Sequence, residues 1–112
     1  MNYKEVQSMI DKSDYFDARV EKIECNYFGD DVEISFNNGK KDIKICFEEC
    51  YKVHFDHIEE YSKIKPLKLY TIAQIPFFLQ DIEVTEEGGL YSIRINVYPL
   101  YLEVKCKKVE IM

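Results

Sequence analysis

Side chains able to do chemistry concentrate between positions 46 and 60, where Cys46, Cys50, His54, Asp56, His57, Glu59 and Glu60 occur together. Both histidines of the 112-residue chain are among them. On a helix, His54 and His57 at i, i+3 would stand on one face and could share a metal. On a strand, Cys46, Cys50 and His54 would share one parity instead. One backbone cannot serve both sets, and the two-residue gap between cysteines that structural zinc sites favour is absent. The stretch therefore reads as a solvated strand edge with ordinary imidazoles. A small metal-binding or enzymatic domain centred on His54 and His57 is the alternative.

Nucleophilic catalysis has less support. No serine sits in a Gly-x-Ser-x-Gly elbow. Cys50 and His54 lie on one face of an extended chain, but residues four apart there are about 13 Å apart, beyond hydrogen-bonding reach. Glu48-Glu49, Glu59-Glu60 and Glu86-Glu87 are sequence neighbours, so on strands they point to opposite faces. Gly88-Gly89 marks a hairpin rather than a phosphate loop, since no helix follows. No catalytic, cofactor or metal residues are assigned. The four cysteines, Cys25, Cys46, Cys50 and Cys106, lack a dense framework and read as reduced thiols.

The elements that position these residues follow from periodicity. Asn2 and Glu5 have the spacing of a capping box, and Val6, Met9 and Ile10 fall at i, i+3, i+4, which predicts a helix over about residues 3 to 12. From Phe16 the period becomes two. Phe16, Ala18 and Val20 share one parity and Ile23, Cys25 and Tyr27 the other, so a bulge or bend is expected at Glu21-Lys22. After a turn at Gly29-Asp30-Asp31, Val32, Ile34 and Phe36 alternate with polar residues as in a half-buried strand. Asn37-Asn38-Gly39-Lys40 predicts a type I′ hairpin turn. Ile43, Ile45, Phe47, Tyr51, Val53 and Phe55 then share odd parity with only Glu49 interrupting, which predicts one long strand or two colinear ones.

Residues 56 to 65, with Ile58, Tyr61 and Ile64 spaced by three, read as a short helix or turn ended by Pro66. An extended pattern resumes through Leu67, Leu69 and Ile72 to Pro76, and Phe77-Phe78-Leu79 with Ile82 and Val84 forms a strand. The hairpin at Glu87-Gly88-Gly89 leads into Tyr91, Ile93, Ile95 and Val97. After Pro99, a last strand carries Leu100, Leu102, Val104 and Cys106, and a flip at Lys107-Lys108 turns Val109 and Ile111 inward. The expected fold is α+β, mostly β: an N-terminal helix with a curved antiparallel meander of about six or seven strands, all in a single domain over residues 1 to 112.

Composition narrows the partners. The chain carries 15 basic and 21 acidic side chains for a net charge of −6, which disfavours nucleic acid. The imbalance is uneven: residues 1 to 60 sum to −7 and residues 61 to 112 to +1. No apolar run is long enough to cross a bilayer and Met1-Asn2-Tyr3-Lys4-Glu5 has no signal-peptide core, so a cytoplasmic location without membrane contact is expected. Lysine outnumbers arginine 13 to 2, a bias that A+T-rich bacterial coding gives. Nine tyrosines and seven phenylalanines exceed the needs of one core. Tyr15, Tyr27, Tyr51, Tyr61, Tyr70, Tyr98 and Tyr101 fall near strand ends or off the apolar faces, and rings beside acids suit protein contact, though cross-strand aromatic pairing explains them equally.

Tyr15-Phe16-Asp17-Ala18-x-Val20, an alternating strand, an Asn-Gly turn, Ile43-x-Ile45-x-Phe47 and a closing Leu-x-Val-x-Cys strand together resemble the small bacterial immunity proteins of polymorphic toxin systems. The resemblance spans about residues 14 to 111. Members place a histidine before the Asp-Ala pair where this chain has Phe16, so any role of that histidine does not transfer, and neither does any catalytic residue. The resemblance implies a protein that binds and blocks a toxin. An acidic binder suits a basic toxin domain, and the contact residues expected are Asp14, Asp17, Asp30, Asp31, Glu48, Glu49 and Tyr51. A homodimer formed through an edge strand is a third reading.

Overall fold

The helix begins where its cap allows. The Asn2 carboxamide accepts from the Glu5 N–H at 2.9 Å and the Glu5 carboxylate accepts from the Asn2 N–H, the reciprocal capping box, and α1 runs Tyr3–Asp11 with Val6 and Ile10 buried. The computed structural model describes residues 2–57, 67–69, 71, 77–98 and 100–112. Within them α1 precedes six strands: β1 Val20–Asn26, β2 Asp31–Asn37, β3 Asp42–His57, β4 Asp81–Glu87, β5 Leu90–Val97 and β6 Leu100–Ile111.

All pairings are antiparallel and the sheet order is β1-β2-β3-β6-β5-β4. The expected antiparallel build is thus two three-stranded meanders joined through the long central strands β3 and β6. The ends then approach each other: Val20 N–H donates to the Phe77 carbonyl at 2.8 Å, Leu79 N–H to Ala18 at 2.8 Å and Asp17 N–H to Leu79 at 2.7 Å. This short ladder ties the chain entering β1 to the chain entering β4, so the sheet curls towards closure. Val32, Ile34, Phe36, Ile45, Phe47, Ile93, Ile95 and Leu102, all fully buried, belong to one core with Val6 and Ile10 of the helix, which lies against β4 and β6.

Most parity changes lie where the sequence puts them. Register shifts between Val20 and Lys22, and Cys106 and Val109 are both buried across exposed Lys107-Lys108. Four local expectations are corrected. Phe16 does not share the buried face of Ala18 and Val20 but is 70% exposed, because Asp17 takes a left-handed backbone (φ 62°) and the strand starts only at Val20. The Asn38-Gly39 hairpin is a four-residue loop closed by the Asn37–Asp42 pair rather than a type I′ turn. There the Asn38 carboxamide oxygen accepts from Lys40 and Lys41 N–H and only Gly39 has positive φ. Leu67–Leu69 forms a 3-10 turn instead of an extended segment. Of the helix or turn expected over residues 56 to 65, Asp56 and His57 instead continue β3 as extended strand paired with Tyr101 and Leu100; residues 58 to 65, with Ile58, Glu59, Glu60, Tyr61 and Ile64, lie outside the described residues, as do Pro66, Tyr70, Ile72, Pro76 and Pro99.

Candidate partner-binding surface

The connection from β1 to β2 is the most unusual backbone among the described residues. Tyr27, Phe28 and Gly29 have φ of 52°, 58° and 93° in succession. With the Asp30 N–H donating to the Tyr27 carbonyl at 3.1 Å, Phe28 and Gly29 occupy the two central positions of a type I′ turn. Gly29 meets that demand at no cost, whereas a phenylalanine in the left-handed region is strained. Nothing buried compensates at Phe28, which is fully exposed, and Tyr27 is 75% exposed beside it. Aromatic residues thus sit at a solvent-facing tip where Asn or Asp would be the comfortable choice.

A second irregularity in β3 lies against this tip. Glu49 has φ 55°, and the Cys50 N–H leaves the β6 ladder to donate to the Asp30 carbonyl at 2.8 Å. Register against β6 then shifts between Cys50 and Lys52, leaving Tyr51 as the extra residue, 64% exposed. The Lys107 ammonium stands 5.3 Å from the centre of the Tyr51 ring. Glu48 is near Glu110 and Asp31; partial desolvation, then the Glu110 charge, hold its carboxyl above the usual range. Lys108 bonds Glu110 at 3.0 Å and lowers that partner's pKa.

Of the acidic and tyrosine residues singled out by sequence, Asp30, Asp31, Glu48, Glu49 and Tyr51 therefore gather around the tip. Asp14 and Asp17 do not. They are exposed near the start of β1, whose seven residues separate them from the tip by roughly 20 Å. Sequence reasoning missed Phe28. Its only signal was the Phe-Gly pair at a hairpin position, and turn propensities rank that pair low.

The Cys46 to Glu60 stretch does not converge. β3 is extended through His57, so His54 and His57, three apart on a strand, project to opposite faces, and both are exposed. Glu49's left-handed backbone also breaks the shared parity of the cysteines: Cys46 lies between Glu33 and Glu110 in the ladder, while Cys50 packs against the core opposite Cys106. Among the described residues no three His, Cys, Asp or Glu side chains come together as metal ligands. His57 instead borders an apolar groove of about 260 Å³ with Ile23, Phe55, Phe77 and Leu100.

The outer edge of β4 is occupied by side chains. The Gln7 carboxamide donates to the Ile82 carbonyl at 2.8 Å and accepts from the Val84 N–H at 2.7 Å, and the Tyr15 hydroxyl accepts from the Ile82 N–H at 3.1 Å. The helix thus supplies the partner that a neighbouring strand would, blunting this edge against pairing with a second copy.

No helix of the described residues is long and apolar enough to cross a membrane. The family model described as immunity protein PIM7 matches residues 2–112. Two chains among the solved structures match. One, a crystal structure of an uncharacterized protein from Neisseria gonorrhoeae, shares the fold with a TM-score of 0.60 at 13% identity, over 87% of this chain and 91% of that one. No curated protein matches the chain.

Proposed function

The chain belongs to the immunity protein PIM7 family, and from that premise we propose that it is a single-domain, non-enzymatic cytoplasmic protein that blocks a toxin by direct contact. The contact surface is the tip formed by Tyr27, Phe28, Asp30, Asp31, Glu48, Glu49 and Tyr51. The observation that carries this reading is the exposed Phe28 held in a left-handed turn. Strain of this kind persists where surrounding structure enforces it, and it clusters at sites of recognition. An exposed aromatic anchor ringed by polar groups has the composition of a binding hot spot.

Charge supplies the second part of the proposal. A net −7 in the first 60 residues favours a basic toxin domain, with Asp14 and Asp17 acting in the encounter and the tip acids in the docked contact. The test is co-expression with the product of the neighbouring reading frame. Wild type is expected to co-purify with it and protect the cell. Phe28→Ala and the charge reversal Glu48→Lys with Glu49→Lys are expected to remain folded by circular dichroism and to lose protection. Full protection by both variants would remove the tip from the mechanism, and absence of any complex with wild type would remove the function.

A further inference from the structure

All four cysteines are free thiols, and two of them oppose each other directly across the central strands: Cys50 in β3 and Cys106 in β6. The Cys50 N–H donates to Asp30, on the β2 side of β3. It is therefore unavailable to β6, and the pair occupies a non-hydrogen-bonded position of the ladder. At such positions Cα atoms lie about 4.5 Å apart and side chains are closest. A disulfide requires a Cα separation of roughly 4.4–6.8 Å. The backbone thus already holds the two residues at bridging distance, and the adjoining bulge at Tyr51 adds freedom of twist.

The two thiols are chemically unequal. Cys106 is fully buried, whereas Cys50 is half-buried with its thiol donating to the Phe47 carbonyl at 3.3 Å. A hydrogen bond from Cys106 favours the thiolate at Cys50 and lowers its pKa, although partial burial and the carboxylates of Asp31 and Asp30 oppose this; Cys106, with the same partner and deeper burial, is pushed well up. Of the other two cysteines, Cys25 is exposed on β1 and Cys46 is buried between Glu33 and Glu110.

We propose that Cys50 and Cys106 form a reversible intrachain disulfide, making this pair a thiol modification site for a peroxide oxidant. The Cys50 thiolate attacks one peroxide oxygen, the O–O bond breaks, and the departing hydroxide takes up a proton as water, leaving a sulfenic acid. The Cys106 sulfur then attacks the sulfenic sulfur; the S–O bond breaks and hydroxide leaves with the Cys106 proton as a second water. Two electrons from the two thiols reduce the peroxide, and a thiol reductant reverses the bridge. The bond pins the β3 bulge between Glu49 and Tyr51. The chemistry needs no partner and stands independently of the role proposed for the tip.

The full chain is treated with hydrogen peroxide, remaining thiols are alkylated, and the protein is digested without reduction and analysed by mass spectrometry. The expected result is a linked peptide pair containing Cys50 and Cys106, with free thiols falling from four to about two per chain and returning with dithiothreitol. Cys25→Ser and Cys46→Ser should keep the link and Cys50→Ser should abolish it. A Cys25–Cys50 bridge, a dimer linked through Cys25, an over-oxidised Cys50 beside a free Cys106, or four thiols retained while glutathione in the same tube is oxidised would each overturn the proposal.

Discussion

Replacing Phe28 by asparagine should make the protein more stable and less able to bind. Phe28 has φ 58° and ψ 29°, a conformation that costs an ordinary L-residue about 1–2 kcal/mol and that asparagine adopts far more readily. The usual offset, loss of buried apolar surface, is absent because the ring is fully exposed. Phe28→Asn also places before Gly29 the residue best suited to a type I′ turn. A net gain of about 1 kcal/mol follows, and for a domain of this size that raises Tm by roughly 4 °C. Thermal melts followed by circular dichroism, with urea midpoints as a second measure, read this directly. Toxin affinity should move the other way. Loss of an aromatic anchor at the centre of a contact costs about 2 kcal/mol or more, near a thirtyfold rise in Kd. An unchanged or lower Tm would refute the strain argument. A higher Tm with unaltered toxin affinity would show that the strain serves something other than this contact.

Two further perturbations probe the scaffold. Gln7→Ala removes both hydrogen bonds that the helix makes to Ile82 and Val84, and should cost about 2 kcal/mol in urea unfolding; the uncovered β4 edge should also show concentration-dependent association on size exclusion. The Glu103 carboxyl is held below its usual range chiefly by the hydrogen bond from Lys52, 3.1 Å away. A depressed folded-state pKa contributes stability that is present above the unfolded carboxylate pKa and lost as pH falls through the folded value. Lys52→Met should therefore unfold at slightly lower urea than wild type at pH 7, and the difference should shrink as pH falls below the unfolded carboxylate range and vanish once Glu103 is protonated in the folded wild type too. A gap that persists in acid would assign the effect to the lysine's aliphatic stem.

What could be read in the sequence divides by range. The capping box at Asn2 and Glu5, the bulge at Val20–Lys22 and the flip at Lys107-Lys108 are local decisions, settled by residues within a few positions of each other, and each occurs where the pattern puts it. The strand order is not local. Alternation in β3 and β6 shows which face each presents but not that these two strands pair, since a hydrophobic face is equally satisfied by another neighbour. The turns were legible only where propensity and backbone agree. Gly88 and Gly89, at φ 60° and 80°, form the expected tight hairpin between Glu87 and Leu90. Asn38-Gly39, the better type I′ sequence, opens into a longer loop because the Asn38 side chain caps its own turn and reaches the Ser13 carbonyl at 2.9 Å.

The candidate site shows why disagreement between local preference and final structure is informative. The chain places an ordinary loop where Asn-Gly stands and the demanding type I′ geometry where Phe-Gly stands. Stability alone would favour the reverse. On the proposed function, the strain at Phe28 and Glu49 and the fully exposed ring at the first serve contact with the toxin rather than folding. The acids of the first half add direction: the strands β1 to β3 form one side of the sheet order, so the −7 carried by residues 1 to 60 accompanies the strands that build the tip. Asp30 joins these features, since its carbonyl holds Cys50 in the β3 bulge while its N–H closes the Phe28 turn. The two irregular segments are therefore one mechanical unit, and a perturbation at either should be felt at the other. Stabilising the turn at Phe28 should strengthen the Asp30–Cys50 bond and slow amide exchange at Cys50. Exchange at Cys50 that is indifferent to Phe28→Asn would show that the turn and the bulge act separately.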